Sequence, residues 1–323
     1  MQRDALHPTD PLRYLATRIA VAGFGLFTAA TVCFAAIRLG PLPVPNVIVG
    51  PVDLGPARTQ RYHRLLGVDA DPVTGYLTYV DRLLTFDLGN AWVLDRGPAG
   101  PLVLDALPNT ALVAVGALCL VTAVAVPIGL ATGLRDGRLG AAVENCSVLG
   151  RSAPNVVLAA IAAAVLWPGE SPARGPVLAL TTVVVASALV GTRIRDVSRA
   201  VREARRDGHV DAARAKGLSR STVFWRHLAP AALLAHLRQI ADDAAYLVGA
   251  VVVVEAVVPA PTPPSSEAYG LGRLFYQASI QGDFPLAATL VVLLLAVVVA
   301  VRLLGDLALA LVDPRVGPRA GRS

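Results

Sequence analysis

The sequence predicts an all-α, polytopic transmembrane helical bundle of about six spans, with a cytoplasmic helical loop between the fourth and fifth. Three observations predict it. Hydrophobic residues make up 54% of the chain and charged residues 16%, with a mean hydropathy of +0.58; a soluble domain carries about a quarter charged residues. Apolar stretches approaching or exceeding bilayer length recur along the chain. The arginines gather at alternate ends of those stretches, which orients them. Lys216 is the only lysine, so the net charge of +6 is almost wholly arginine.

The elements follow in order. Residues 1–18, with Arg3, Arg13 and Arg18, read as a cytoplasmic N-terminus, and 19–37 as the first span. That apolar run exceeds the roughly 7–15 residues of a signal-peptide core, so it reads as retained. Residues 38–106 form an external region long enough for structure of its own. Residues 107–312 form a five-span core. Its apolar segments are Ala111–Leu134, Ala153–Trp167 (short unless extended back through Arg151), Pro176–Ile194, Leu233–Val258 and Pro285–Val312. Pro259–Ser266 reads as an extended external loop. Residues 313–323, with Arg315, Arg319 and Arg322, form a cytoplasmic tail. Arg135, Arg138 and the run from Arg193 to Arg226 fall on the same side, so both termini are placed inside. Cys33, Cys119 and Cys146 are dispersed through or beside apolar segments and read as small buried hydrophobes.

The loop at 193–230 carries the chemistry. Val210–Lys216 is built of good helix formers, and Gly217 suits a left-handed helix end. Ser219 is placed to cap a second short helix through Thr222–Leu228, and Pro230 marks the start of the fifth span. The expected product is a knob of two helices joined by Gly217-Leu218-Ser219. Ala212, Ala213 and Ala215 offer little bulk to a partner's groove, while Arg214, Lys216 and Arg220 suit acidic groups at its rim.

The stretch Asp211-Ala-Ala-Arg-Ala-Lys-Gly217, followed by Pro230, resembles the "EAA" loop of binding-protein-dependent ABC importers, with Asp211 in place of Glu. The wider run from Arg206 to Ser219, with Arg226-His227 after it, is similar to permease subunits of oligopeptide, dipeptide and nickel importers. Further landmarks of that family follow in order: Pro11-Leu-Arg-Tyr14, Phe86-Asp-Leu-Gly89, Leu107-Pro-Asn-Thr110, Val253-Val-Glu255, Gly270-Leu-Gly-Arg273, Asp283-Phe-Pro285 and Asp313-Pro-Arg315. Departures fall on the external side: Pro41–Pro45 replaces the usual Pro-Gly-Asp-Pro, the Pro168–Gly175 connection is short, and Pro259–Tyr269 is inserted. The resemblance implies half of a translocation pathway for peptides, with nickel or another metal chelate as the alternative cargo. It also implies a second permease subunit making a heterodimer, ABC ATPase subunits docked on the loop, an extracellular substrate-binding protein and a surround of membrane lipid. The ATPase-coupling residues it implies here are Asp211, Ala212, Ala213, Arg214, Lys216, Gly217 and Pro230.

Other readings compete. Ala213 to Val223 also has the look of a helix-turn-helix, which would make the chain a membrane-anchored DNA-binding regulator. The loop is short for a stable domain and both ends enter the membrane, so no nucleic-acid partner is expected. Acids within a span commonly face a pathway or a partner, which makes Asp242, Asp243 and Glu255 candidates for a translocation path. Asp243 would favour cationic or zwitterionic cargo there, whereas Arg238 and Asp242 have the spacing of an intrahelical pair. Arg302 and Asp306 have that spacing too. No cofactor, metal or catalytic residue is expected. His7, His63, His209, His227 and His236 form no metal-binding motif, and Lys216 is followed by Gly217 where a P-loop needs Ser or Thr. The chain therefore reads as a non-catalytic membrane subunit whose ATP is hydrolysed by a partner.

Overall fold

The computed structural model describes residues 11–39, 71–91, 97–135, 154–168, 173–258, 270–281 and 283–312. Expectations for Arg3, His7, Pro41–Pro45, His63, Arg138, Cys146, Arg151, the Pro259–Tyr269 insertion and the 313–323 tail lie outside the described residues. Helix dominates. In chain order the elements are α1 (Pro11–Leu39), α2 (Pro72–Leu84), strands β1 (Asn90–Ala91) and β2 (Gly97–Pro98), α3 (Ala99–Leu134), α4 (Asn155–Leu166) and α5 (Arg174–Arg205). They continue with α6 (Gly208–Ala215), α7 (Arg220–Val223), a π-helical turn (Phe224–Leu228), α8 (Ala229–Leu237), α9 (Ile240–Val257), α10 (Leu271–Ile280) and α11 (Phe284–Val312).

Among the described residues, four helical stretches are long and apolar enough to cross a bilayer: Ala16–Ala36 of α1, all of α3, all of α5, and Pro285–Ala308 of α11. The remaining two expected spans differ in form. α4 is apolar but only 12 residues long. Leu233–Val258 is divided by a turn at Arg238–Gln239 between α8 and α9. Polar side chains gather there (His236, Arg238, Gln239, Asp242 and Asp243), and the backbone breaks within that cluster.

The chain forms two compact units. The first combines Met1–Leu107 with Arg273–Ser323. In it α1 packs along α11, and α2 lies against α1. Asp306 Oδ2 stands 3.6 Å from Arg18 Nε, so its carboxylate is shared across the helix pair, whatever it does with Arg302 on its own helix. The Phe86-Asp-Leu-Gly89 landmark is a tight turn, with φ of 55° at Phe86 and 71° at Gly89. Asp87 Oδ1 accepts from Gly89 N at 3.1 Å, and Gly89 O accepts from Ala99 N at 2.9 Å, which closes the β1–β2 ladder.

The second unit is Pro108–Gly272. α5 is its axis, with α4, α6, α8 and α9 all packed on it. Its core is small-residue: Val113, Ala117, Val121 and Ala125 follow one face of α3 and meet Val184, Val185 and Ile194 of α5 and Leu247, Val251 and Val254 of α9. In lipid, such packing draws on close approach rather than on the hydrophobic effect. The approach is closest at two glycines of α3. A Cβ on Gly129 would sit 2.6 Å from Val197 Cβ, and one on Gly133 would sit 2.7 Å from Val201 Cβ.

Candidate functional site

The knob starts inside the second unit. α5 leaves its apolar half at Ile194 and continues to Arg205 without a break, so the same helix is both span and stalk. The stalk is tied back to α3 at two levels. Val197 and Val201 lie on Gly129 and Gly133, and Arg205 Nη1 donates to the carbonyls of Gly133 and Leu134, each at 3.1 Å. Those carbonyls are among the last of α3, which have no partner of their own within the helix.

A turn at Arg206–Asp207 reverses the chain into α6. Asp211 Oδ1 is 3.5 Å from Arg214 Nη1 on its exposed face. The helix ends as the sequence suggests. Gly217 has φ +78°, Leu218 N donates to Ala213 O at 3.3 Å, and Gly217 N donates to Arg214 O at 2.9 Å. This pair of bonds is the Schellman arrangement, which needs a left-handed residue at the glycine. Ser219 Oγ then accepts from Thr222 N at 3.2 Å and caps α7.

The expected second short helix is not separate. α7, the π turn and α8 run as one rod from Arg220 to Leu237. Pro230 explains the π turn. Its ring nitrogen has no hydrogen to give the carbonyl four residues back, and Ala229 N instead reaches Phe224 O, five back. The wider turn carries the rod past the proline without a break, so Pro230 lies within a continuous stalk. This also corrects the helix-turn-helix alternative. The helix that would have to enter a DNA groove continues directly into the membrane unit.

Between the two stalks lies a small interior of Val210, Ala213, Val223 and Leu228, with Ala204 and Phe224 against it. Ala213 is 6% exposed and belongs to this interior, so its small size serves the knob's own packing. Ala212, Arg214, Ala215, Lys216 and Arg220 face outward. Leu218 and Trp225, at 39% and 70% exposed, add two large apolar side chains to that surface. The sequence reading did not single out Trp225; an aromatic beside Arg226 in so polar a loop was the available signal.

The acids fall into different settings. Asp243 is 1% exposed, and its Oδ1 accepts from Arg193 Nε at 3.0 Å and from Nη2 at 2.6 Å. Arg193 Nη1 donates to Asp196 Oδ2 at 2.6 Å, so one guanidinium bridges α9 to α5. Asp242, its neighbour, is exposed. Nearby, Thr122 Oγ1 lies 2.8 Å from Leu118 O and 2.9 Å from His236 Nε2. Arg193 was counted only among the loop arginines. Its place in the last turn of an apolar segment was the sign that it needed a buried partner.

Glu255 sits in a third setting, where landmarks far apart in sequence meet. Thr110 Oγ1 donates to Glu255 Oε2 at 2.9 Å and accepts from Leu271 N at 2.8 Å. Gly272 N donates to Glu255 Oε2 at 3.0 Å. The carboxylate thus holds the first turn of α10, and a Cβ on Gly270 would fall on it. Asn109, beside Thr110, accepts from Arg174 Nη2 at 2.6 Å.

The profile of the family described as "Binding-protein-dependent transport system inner membrane component" matches residues 125–318, which contain the knob and all three acids. A putative peptide transport system permease protein of Brucella abortus (strain 2308) is 27% identical over 319 residues, covering 93% of this chain and 97% of that protein. The oligopeptide transport system permease protein AppB of Bacillus subtilis (strain 168) is 24% identical over 289 residues, covering 84% and 89%. The dipeptide transport system permease protein DppB of Lactococcus lactis subsp. cremoris (strain MG1363) is 25% identical over 314 residues, covering 94% and 99%.

Proposed function

The chain belongs to the family of binding-protein-dependent transport system inner membrane components, and from that premise we propose that it forms half of the translocation pathway of a peptide importer. Peptide cargo rests on the relatives, which are named for peptide, oligopeptide and dipeptide transport. The single observation that carries the mechanism is the knob. It has an interior of its own, an exposed basic and apolar surface, and a continuous helical stalk on each side running into the membrane unit. A motor protein bound to that surface would move α5 and the α7–α8 rod together. ABC ATPase subunits are the partners this suits, with Asp211, Ala212, Arg214, Lys216, Leu218 and Trp225 at the contact and Ala213, Gly217 and Pro230 maintaining its shape. The chain itself hydrolyses nothing; its role is to switch between inward- and outward-open arrangements when the ATPases close.

The arginine distribution supports a cytoplasmic knob and cytoplasmic termini. On that orientation residues 38–106 face outward, where a substrate-binding protein delivers cargo, and a second, related permease completes the pathway as a heterodimer. Asp242 is the exposed acid and faces that pathway or the second permease. Asp243 and Glu255 act on it from behind, by fixing α9 and α10. The test is purification of the tagged chain from native membranes, with partners identified by mass spectrometry. Wild type should bring down an ATPase carrying a P-loop, and a Leu218→Glu/Trp225→Ala variant should lose it while retaining the second permease. Recovery of no ATPase with the wild type would end the importer reading.

A further inference from the structure

Outside the knob and the acid clusters, α2 is a helix with three distinct faces. Gly75, Tyr76 and Tyr79 turn toward α1: Tyr76 OH lies 2.8 Å from Thr31 Oγ1, and its ring meets Phe27 and Phe34 at centroid distances of 6.2 and 5.4 Å. Tyr79 meets Phe34 at 5.7 Å. At 3.6 residues per turn, Val73, Leu77, Val80 and Leu84 fall within about 60° of one another on a second face. Val73, Leu77 and Leu84 are 64%, 61% and 75% exposed, so no described residue covers that stripe. Thr74, Thr78, Asp81 and Thr85 line the third face, roughly 110° round from the apolar one.

The contacts with α1 fix the depth of this helix. The apolar stretch Ala16–Ala36 has 21 residues, which span about 31 Å of helix, the thickness of a bilayer's hydrocarbon core. Thr31 lies about 7 Å, and Phe27 about 13 Å, inside its Ala36 end. A helix hydrogen-bonded to Thr31 and touching Phe27 is therefore below the headgroups. An uncovered apolar stripe at that level has hydrocarbon as its natural neighbour. We infer that α2 is a membrane-embedded interfacial helix, with Val73, Leu77, Val80 and Leu84 against lipid acyl chains and its threonine face toward the headgroups and water. The region after the first span is thus not wholly an aqueous domain. It begins its described part with a helix that lies in the leaflet at the C-terminal end of α1, the outer one if the proposed orientation holds.

The experiment places single cysteines in the full transporter, with Cys33, Cys119 and Cys146 replaced, and attaches a nitroxide at position 77, 78 or 84, or at Val32 of α1 as a lipid-facing reference. After reconstitution in vesicles of phosphatidylethanolamine and phosphatidylglycerol, relaxation by oxygen is compared with relaxation by a water-soluble nickel chelate. Leu77, Thr78 and Leu84 are all exposed, so the label displaces no packing. Positions 77 and 84 should favour oxygen over nickel as strongly as position 32, and position 78 should reverse the preference. Nickel access at 77 and 84 equal to that at 78 would place the helix in water and overturn the inference. Protection of 77 and 84 from both reagents would mean that a protein subunit covers the stripe, and would overturn it too. These readings do not depend on whether an ATPase binds the knob.

Discussion

Replacing Gly217 isolates one contribution to coupling. A Cβ at Gly217 would meet no heavy atom of the described residues within 4 Å, so it encounters no steric obstacle there. What it meets is the backbone, held at φ +78° by the bonds from Leu218 N to Ala213 O and from Gly217 N to Arg214 O. A left-handed conformation costs an L residue about 1–2 kcal/mol, most for β-branched side chains and least for Asn. That shifts the population of the closed knob by about 5- to 30-fold. ATPase docking to Gly217→Val should weaken by about that factor, Ala should lie between, and Asn should stay close to wild type. The assay is ATP hydrolysis and cargo uptake by the reconstituted transporter over a titration of ATPase subunit. Uptake should fall with docking, while the spans remain folded and extractable. Gly208 supplies the control: it is equally open but has no left-handed backbone, so Gly208→Ala should change little. Val docking within twofold of wild type, or Asn as damaging as Val, would refute the argument that the left-handed cap sets the knob's shape.

Three other substitutions separate roles that sit side by side. Ala213→Leu overfills the Val210–Val223–Leu228 interior and should destabilise the knob by about 1–3 kcal/mol, seen as faster amide exchange through α6. Ala212→Leu, on the exposed face, should leave exchange unchanged and weaken ATPase binding alone. Asp243→Ala strands the buried part of Arg193's charge. The loss should approach the about 3–5 kcal/mol of a broken buried pair, moderated because Asp196 remains. An Arg193→Met/Asp243→Leu double variant should be closer to wild type than the single, as thermal unfolding would show; strict additivity would contradict the pairing. Glu255→Ala leaves Gly272 N–H without its acceptor, a loss of about 1–3 kcal/mol. Gly270→Ala should be damaging in the wild type, where its Cβ falls on the carboxylate, and much less so in the Glu255→Ala background, again by thermal unfolding.

Local chemistry made part of this legible in the sequence. Hydropathy located the long spans of α1, α3, α5 and α11, because a bilayer-length apolar run leaves little choice of structure. The glycine at the end of α6 and the serine before α7 were readable for the same reason: each acts on hydrogen bonds within a few residues of itself. Where the reading fell short, the determinant was distant. Asp243 finds Arg193, 50 residues away, and Glu255 finds Thr110, 145 residues away. Neither partner can be chosen from a sequence in which arginines and threonines abound. The inward turn of Ala213 depended on how α6 packs over the π turn, and periodicity over eight residues is too short to fix a face. The break at Arg238–Gln239 shows hydropathy averaging over a polar cluster that the backbone resolves as a turn.

The continuity of α5 with its stalk, and of α7 with α8, sets the boundaries for any exchange of parts between permeases. A graft of 206–230 alone would import Val210, Ala213, Val223 and Leu228 but leave behind Ala204, which closes that interior from the stalk side. It would also separate Arg205 from the donor's version of the α3 terminus it holds. The smallest transplantable piece therefore runs from Arg193 to Leu237 and needs a host whose second long helix offers glycines where Gly129 and Gly133 stand. A chimaera cut at the visible motif should express and yet fail to obey its new motor; one cut at the helix joints should change allegiance cleanly.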